Sequence, residues 1–308
     1  MRVLTAVRLL CLLLLLYHTV SIHISWLAAL YGSLLLVSLY ILREPAKRVE
    51  LHTTENPLRG KPLGVSMDDI SNELRSNIDK QISALVTYDP VHCQAIEEFE
   101  AIKSQTECIF AKRARVWGSC DWDDQLTLEG NIYKCVPTLL KFVHLCPVLG
   151  LDAFVIMLSG HEYGRDLQVF GRAVRRVLTM VSSLDPAGVC CMEDTNICRR
   201  GWVFQFNKCT MFVTTFAPFY TSNHSRFAFG SKNCFILLQP EVSFAQHDLC
   251  PDTPVTNWDK PQTVRDQIRV GFRDAGRPYK IRDTTHYPMA EDIVKPDQPG
   301  AENFEWWR

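Results

Sequence analysis

Two short apolar runs, Met211–Phe216 and Cys234–Leu238, have the length and the Phe, Val, Ile and Thr content of β-strands. The loop between them is polar and turn-like, and it contains the sequence Asn223-His224-Ser225-Arg226. The second run stops before Pro240, which has no backbone N–H to donate to a neighbouring strand. We therefore predict a buried strand pair that carries polar side chains, Glu241 among them, on the loops at its ends.

The rest of the chain alternates between helical and extended patterns. In Asp166–Leu184, apolar residues recur three or four positions apart, which is typical of one buried helix face. Further helices are predicted over Ser66–Val86, Val91–Ser104, Thr138–Leu145 and Thr263–Ala275, and further strands over Cys108–Phe110, Phe154–Leu158 and Trp202–Phe206. Adjacent strands with short connections indicate antiparallel pairing. The predicted fold class is α+β, a single domain with a mostly antiparallel sheet flanked by helices.

The amino-terminal 42 residues are almost wholly apolar. Ile24–Leu42 alone is 19 residues without a charge, close to the roughly 20 needed to cross a bilayer. Val3–Val20 is a second leucine-rich run, so the pattern allows one or two spans. A cleaved signal peptide is disfavoured because the apolar sequence resumes after a short polar break. We predict a membrane anchor over residues 1–42, a Pro- and Gly-containing linker over 43–65 and the folded domain over 66–308.

Basic residues after the apolar region set the expected orientation. Arg43, Lys47 and Arg48 follow Leu42 directly, and the positive-inside bias keeps such residues on the cytoplasmic side. The domain is then expected to face the cytosol at a membrane, an internal one such as the endoplasmic reticulum in a eukaryote. The alternative is a lumenal domain, for which Asn223-His224-Ser225 would be a glycosylation sequon.

Composition narrows the function classes. The 33 basic and 34 acidic residues give a net charge of −1, which does not suggest nucleic acid as a partner. The twelve cysteines are scattered, many of them within apolar runs, as expected of reduced cysteines in a cytosol-facing domain. No Walker A loop, GxGxxG, HExxH or GxSxG motif is present. Phosphoryl transfer on a P-loop, Rossmann dinucleotide chemistry and α/β-hydrolase chemistry are therefore disfavoured.

Several motifs occur in an order that resembles the YqcI/YcgG family. They are ECIFAKRA at Glu107–Ala114, FVIML at Phe154–Leu158, a helix that ends in LDP at Leu184–Pro186, the WxFxF pattern from Trp202, and then MFVTTFAP, HSR and LLQPEVSF. The resemblance extends roughly from Ile96 to the carboxyl terminus and includes the helix QIRVGFRDAG. The chain departs from the family pattern in two places. Where the family has Pro-Cys-x-Phe-Gly, this chain has Glu107-Cys108-Ile109-Phe110-Ala111, and where some members have His, it has Tyr220.

This resemblance implies heme-dependent N-hydroxylation of a guanidine or amine in a small basic, amino-acid-like metabolite, of the kind found in natural-product pathways. Heme and O₂ would be the cofactors. A separate protein would donate the electrons, because no flavin or iron–sulfur motif is visible. The alternative is a non-catalytic, membrane-tethered domain that kept the fold and lost the cofactor site, which the altered Pro-Cys-x-Phe-Gly motif favours.

Cys108 is the candidate ligand of the heme iron. A thiolate ligand favours O–O cleavage, and the positive charges of Lys112, Arg113 and Arg115 are expected to favour the thiolate. The structural alternative is a packed core cysteine. His224 and His161 are the next candidates, as axial ligands or proton donors, although a loop histidine is more often simply solvated.

Charged residues near the predicted strand ends complete the candidate site. Arg226 and Arg277 could hold heme propionates or a substrate carboxylate through the planar guanidinium group, or form structural salt bridges. Glu241 and Glu162 could pair with a cationic substrate, while Glu241 could instead cap the turn after Pro240. The predicted catalytic residues are His224, Arg226 and Glu241, and the predicted cofactor-binding residues are Cys108, His161 and Arg277.

Overall fold

The computed structural model describes residues 80, 82–194, 196–247, 255–280, 289–298 and 300–308. The predicted membrane anchor, the linker and most of the predicted Ser66–Val86 helix lie outside these residues. The described residues all belong to one compact unit, 49–308. Its architecture is α+β, as predicted.

Five strands form one mixed sheet. They are β1 (Val116–Gly118), β2 (Ala153–Leu158), β3 (Phe204–Phe206), β4 (Cys209–Phe216) and β5 (Cys234–Pro240), and their order across the sheet is β1-β2-β5-β4-β3. β1 pairs with β2 in parallel, and every other pair is antiparallel. The predicted strand pair is confirmed as β4 and β5, which lie side by side from Phe216–Phe235 to Met211–Pro240.

Eight α-helices accompany the sheet within the described ranges. They are α1 (Gln94–Gln105), α2 (Ile109–Arg113), α3 (Leu128–Leu149), α4 (Gly160–Tyr163), α5 (Leu167–Ser183), α6 (Glu241–Gln246), α7 (Val264–Asp274) and α8 (Ala290–Ile293), with one 3₁₀ turn at Cys191–Glu193. Asp166 and Thr263 cap α5 and α7 by accepting hydrogen bonds from the backbone N–H groups of Val169 and Asp266. Those two helices therefore begin where the sequence predicts.

The two faces of the sheet carry different layers. On the first face, side chains such as Phe154, Ile156 and Leu238 form the main core with α3 and α5. On the second face, Val155 and Phe235 pack against Phe99 of α1 in a smaller cluster. β2 is consequently buried along its whole length, because successive side chains point to opposite faces.

Helix α3 is long and apolar enough to span a bilayer by length and composition, the one such helix among the described residues. More than half of the apolar stretch that meets this test is buried inside the protein, where the helix packs against the first face of the sheet. It is longer than the predicted Thr138–Leu145 segment at both ends. Thr127 caps its start, and Gly150 ends it in a left-handed conformation with φ of 59°.

The predicted strand at Cys108–Phe110 is wrong. Cys108 is instead the residue that precedes α2, and its sulfur accepts a hydrogen bond from the backbone N–H of Ala111 at 3.4 Å. A run of three apolar residues is compatible with a strand or a helix start, because it is too short to reveal a period.

Gly160 offers a test of this packing. A Cβ atom there would overlap the backbone carbonyl of Lys232, just before β5. We expect Gly160→Ala to lower the free energy of unfolding by at least about 2 kcal/mol, because backbone cannot move aside as a side-chain tip can. Chemical denaturation of the full-length protein measures this change.

Gly271→Ala is the matched control. Gly271 lies within α7, and a Cβ atom there would meet Glu107 at an ordinary 3.5 Å. This substitution should be neutral or stabilise by up to about 1 kcal/mol through helix propensity. Equal effects of the two substitutions would contradict the packing described for Gly160.

Candidate functional site

A cavity of about 270 Å³ lies against the second face of the sheet. Its floor includes Thr214 and Leu237, which pair across β4 and β5. Its walls come from the carboxyl-terminal half of α1, from α2 and α7, and from the C-terminal segment, by which we mean residues 289–296. Helix α1 covers only part of this sheet face, and the cavity occupies the remainder.

The lining is basic over an apolar floor. Six lysines and arginines reach it, against two aspartates, Asp152 and Asp292. The basic residues are Lys103, Arg226, Arg265, Arg269, Lys280 and Lys295. Aromatic rings such as Phe110, Phe216 and Tyr279 supply flat apolar walls. This arrangement suits a small ligand that carries an acidic group on an apolar body.

Arg226 is the most unusual residue of the lining. It is only 7% exposed, and its guanidinium donates one hydrogen bond, from Nη2 to the carbonyl oxygen of Asp292 at 3.0 Å. The Cζ atom also lies 5.8 Å from the centre of the Phe216 ring. A guanidinium has five N–H groups, and the described residues offer this one no further hydrogen-bond acceptor. Burial lowers the pKa of Arg226, whereas nearby Asp292 raises it.

Cys108 lines the same cavity as Arg226. Burial is the largest influence on its thiol and raises the pKa, while the backbone N–H groups of Ala111 and Phe110 and the charge of Lys112 lower it by less. The charge of Lys112 does favour the thiolate, as expected, but the effect of burial is larger and the pKa of Cys108 is raised overall. Lys112 and Arg113 are exposed to solvent, which screens them, and Arg115 is directed toward the carbonyl of Leu149.

His224 is not a solvated loop residue, because it is only 7% exposed. Its ring stacks on Tyr220 with centres 4.3 Å apart. Nδ1 accepts the backbone N–H of Arg226 at 3.0 Å, and Nε2 lies 3.1 Å from the carbonyl oxygen of Pro296, to which it donates. Burial and the charge of Arg226 lower its pKa to about 4. His224 is thus a neutral residue with both ring nitrogens engaged, and its role in the structure is to hold the C-terminal segment.

The other predicted site residues lie outside the cavity lining. His161 is exposed in α4, and Glu241 is exposed at the start of α6. Arg277 forms an ion pair with Glu107, and its Cζ lies 4.9 Å from the centre of the Phe229 ring. The structure therefore brings Cys108 and Arg226 into one cavity and leaves His161, His224, Glu241 and Arg277 apart from it.

Asp152 is a lining residue that the sequence analysis missed. Its Oδ1 accepts hydrogen bonds from Ser243 Oγ at 2.7 Å and from His247 Nε2 at 2.8 Å, and its Oδ2 accepts the backbone N–H of Arg115 at 2.7 Å. The side chain is 4% exposed, so this carboxylate is held in a fixed position at the cavity edge. The signal in the sequence was a carboxylate placed directly before the buried strand β2.

Comparison with known proteins identifies one family. The model of the YqcI/YcgG family matches residues 98–269, which is more than half of the chain and contains all five strands. Cys108, Asp152 and Arg226 all lie within the matched region, whereas Arg277 lies beyond it. No curated protein matches the chain. No solved structure matches it either.

The burial of His224 makes stability depend on pH. Its folded pKa of about 4 lies below the ordinary 6.5, so a proton binds the unfolded chain more readily between those values. The contribution is complete above pH 6.5 and is lost as the pH falls through 4, by up to about 3 kcal/mol. Urea denaturation between pH 4 and 7 measures this effect. Over that range the unfolding free energy of His224→Gln should change by about 3 kcal/mol less than that of the natural protein.

His161→Gln provides the control, because His161 is exposed. This variant should retain the pH dependence of the natural protein. If His224→Gln retained it as well, His224 would not be the buried neutral residue described here.

Proposed function

This chain belongs to the YqcI/YcgG family, and we propose that it acts on a small amino-acid-like metabolite held in the basic cavity. The observation that carries the proposal is Arg226, a buried guanidinium at the cavity wall that makes a single hydrogen bond. No side-chain nitrogen of Arg226 is both fully buried and without a partner, so the N–H groups that make no hydrogen bond within the protein stay accessible and can bind a ligand. A carboxylate is the group that matches the planar donor pattern of arginine.

The reaction that we propose is N-hydroxylation of a guanidine or amine nitrogen, as the family resemblance implies. One atom of O₂ would enter the N–OH group and the other would leave as water, with two electrons supplied by a separate donor protein and two protons taken from solvent. Heme, when bound, would supply the activation of O₂, and a thiolate ligand such as Cys108 favours O–O cleavage.

The residue types of the lining fit a heme, but the cavity would have to widen to hold one together with a substrate. A thiol, aromatic walls and cationic groups for the propionates are all present in the lining. The volume of about 270 Å³, however, is below the roughly 300–1,000 Å³ of sites for drug-sized ligands. A porphyrin together with a substrate needs more space than this, whereas one amino acid suits it.

That volume favours a second candidate function. The domain could bind a small metabolite without heme and without catalysis, as a membrane-tethered module that kept the fold. The raised pKa of Cys108 agrees with this alternative, because a partly buried thiol in apolar surroundings resists the ionisation that iron ligation requires.

We further propose that the protein is membrane-anchored through residues 1–42, with the folded domain in the cytosol. The ten described cysteines are all free, which supports a reducing compartment. Asn223 of the sequon is exposed, so a lumenal domain would present it to the glycosylation machinery.

The orientation can be checked in a eukaryotic cell. We expect the full-length chain in the membrane fraction, with no change in electrophoretic mobility after endoglycosidase treatment. A glycan that disappears in Asn223→Gln would place the domain in the lumen and contradict the proposal. Recovery of the chain in the soluble fraction would contradict the membrane anchor.

Absorption spectroscopy separates the two functions. If the protein is an N-hydroxylase, the full-length chain produced with added heme precursor should show a Soret band, and the reduced CO complex should have the long-wavelength maximum typical of thiolate ligation. Cys108→Ala should lose that maximum, because the cavity thiol is the proposed ligand. Cys198→Ala is the control, since Cys198 is exposed and outside the cavity.

Two results would count against heme chemistry at Cys108. An unchanged heme spectrum in Cys108→Ala would exclude this residue as the ligand. The absence of any Soret band in the natural protein would exclude heme and favour the binding module.

A further inference from the structure

Two cysteines meet at one edge of the sheet, away from the cavity. Cys146 lies in the last turn of α3, which ends at Leu149, just before β2 begins. Cys209 is the first residue of β4. Because β2 and β4 are both antiparallel to β5, which lies between them, the two strands begin at the same edge of the sheet. The topology therefore brings the end of α3 and the start of β4 together.

Both side chains face the main core on the first face of the sheet. Side chains alternate along a strand, so Cys209 points to the same face as Met211 and Val213, which belong to that core. Cys146 is fully buried there, whereas Cys209 packs against the core and stays partly exposed. The two thiols are free, and a hydrogen bond joins them. A buried thiol and an accessible thiol are thus in direct contact.

The hydrogen bond makes the two thiols unequal. It is the largest influence on each of them, and it lowers the pKa of Cys209 and raises the pKa of Cys146. Burial and the charge of Glu241 oppose the change at Cys209 by less, whereas burial adds to the rise at Cys146. The thiolate is the nucleophile in thiol chemistry. Cys209, the more accessible of the two, is therefore the thiol that reacts with an agent from solvent.

We propose that Cys146 and Cys209 form a reversible disulfide when the protein meets a peroxide, with Cys209 as the reacting thiol and Cys146 as the resolving thiol. Redox-sensing cysteines are accessible and often lie beside a second thiol, as Cys209 does. The disulfide would cross-link α3 to β4. This site lies on the other face of the sheet from the cavity, so the inference does not depend on the proposed function of the cavity.

One molecule of hydrogen peroxide balances the reaction. The Cys209 sulfur attacks one peroxide oxygen, the O–O bond breaks, and the other oxygen leaves as water with the proton of the Cys209 thiol. Cys209 is then a sulfenic acid. The Cys146 sulfur attacks the Cys209 sulfur, the S–O bond breaks, and the hydroxyl leaves as water with the proton of Cys146. The two thiols lose two electrons to the peroxide, and a dithiol reductant restores them by thiol–disulfide exchange.

Peptide mapping of the full-length chain in detergent tests the proposal. The reduced protein is treated with hydrogen peroxide, its remaining thiols are blocked with N-ethylmaleimide in denaturant, and the digest is analysed by mass spectrometry without reduction. We expect a linked Cys146–Cys209 peptide that dithiothreitol separates again. Cys209 should react at least about tenfold faster than the exposed Cys198, because a larger share of its thiol is ionised.

Two variants assign the roles. Cys146→Ser removes the resolving thiol but keeps a hydroxyl that can donate to Cys209, so the sulfenic acid of Cys209 should accumulate and be trapped by dimedone. Cys209→Ser should leave Cys146 unoxidised, since the accessible thiol is the one that peroxide reaches. Cys198→Ser is the matched control, because this exposed cysteine takes no part, and it should form the Cys146–Cys209 disulfide as the natural protein does.

Three results would overturn the proposal. One is a disulfide that joins Cys146 or Cys209 to a different cysteine. Another is conversion of Cys209 to a sulfinic acid while Cys146 stays a free thiol, and the third is a Cys209 that reacts no faster than Cys198. Circular dichroism melting confirms the fold of each variant. The peptide map of the natural protein needs no substitution, so it decides the proposal even if Cys146→Ser does not fold.

Discussion

The structure depends on the hydrogen bonds that hold the backbone carbonyl groups of the C-terminal segment. Apart from the single turn of α8, this segment has no regular structure, so its carbonyl groups need partners from elsewhere. Side chains at the end of β4 and in the loop that follows supply most of them. The carbonyl acceptors are those of Asp292, Ile293, Lys295 and Pro296, and the donors are Arg226, Thr215, Tyr220 and His224; Trp306 donates to Ala290 in the same way.

This set of hydrogen bonds explains the cavity. The C-terminal segment forms one wall, opposite the part of the sheet that α1 leaves uncovered. The side chains of His224 and Tyr220 already donate their hydrogen bonds to carbonyl groups of that wall. Arg226 is therefore the member of the loop whose remaining N–H groups are available to a ligand. A polar network of this kind fixes geometry more than it adds stability, since each bond replaces one made to water.

Much of the fold could be predicted from the sequence. The helices predicted over Asp166–Leu184 and Thr263–Ala275 are confirmed, and their first residues are those that cap α5 and α7 in the structure. β4 and β5 were predicted from their apolar runs because buried strands need such side chains along their length. β1 has only three residues, too few for any pattern, and so it was not predicted.

The site was predicted only in part, because its contacts are remote in the chain. Arg226 could be selected as a charged residue on a loop between strands. Asp152 could not be selected by pattern alone, since Ser243 and His247, which fix its carboxylate, lie 91 and 95 residues later. The burial of His224 depends on Pro296, which is 72 residues away. No local pattern encodes such pairings.

The central claim is that the carboxylate of a small amino-acid-like ligand completes the contacts of Arg226 in this cavity. A crystal structure of the protein grown with saturating L-arginine tests it most directly. The account predicts one ligand in the cavity, with its carboxylate within hydrogen-bond distance of the Arg226 guanidinium. An empty cavity, or a ligand bound only at another surface, would contradict it.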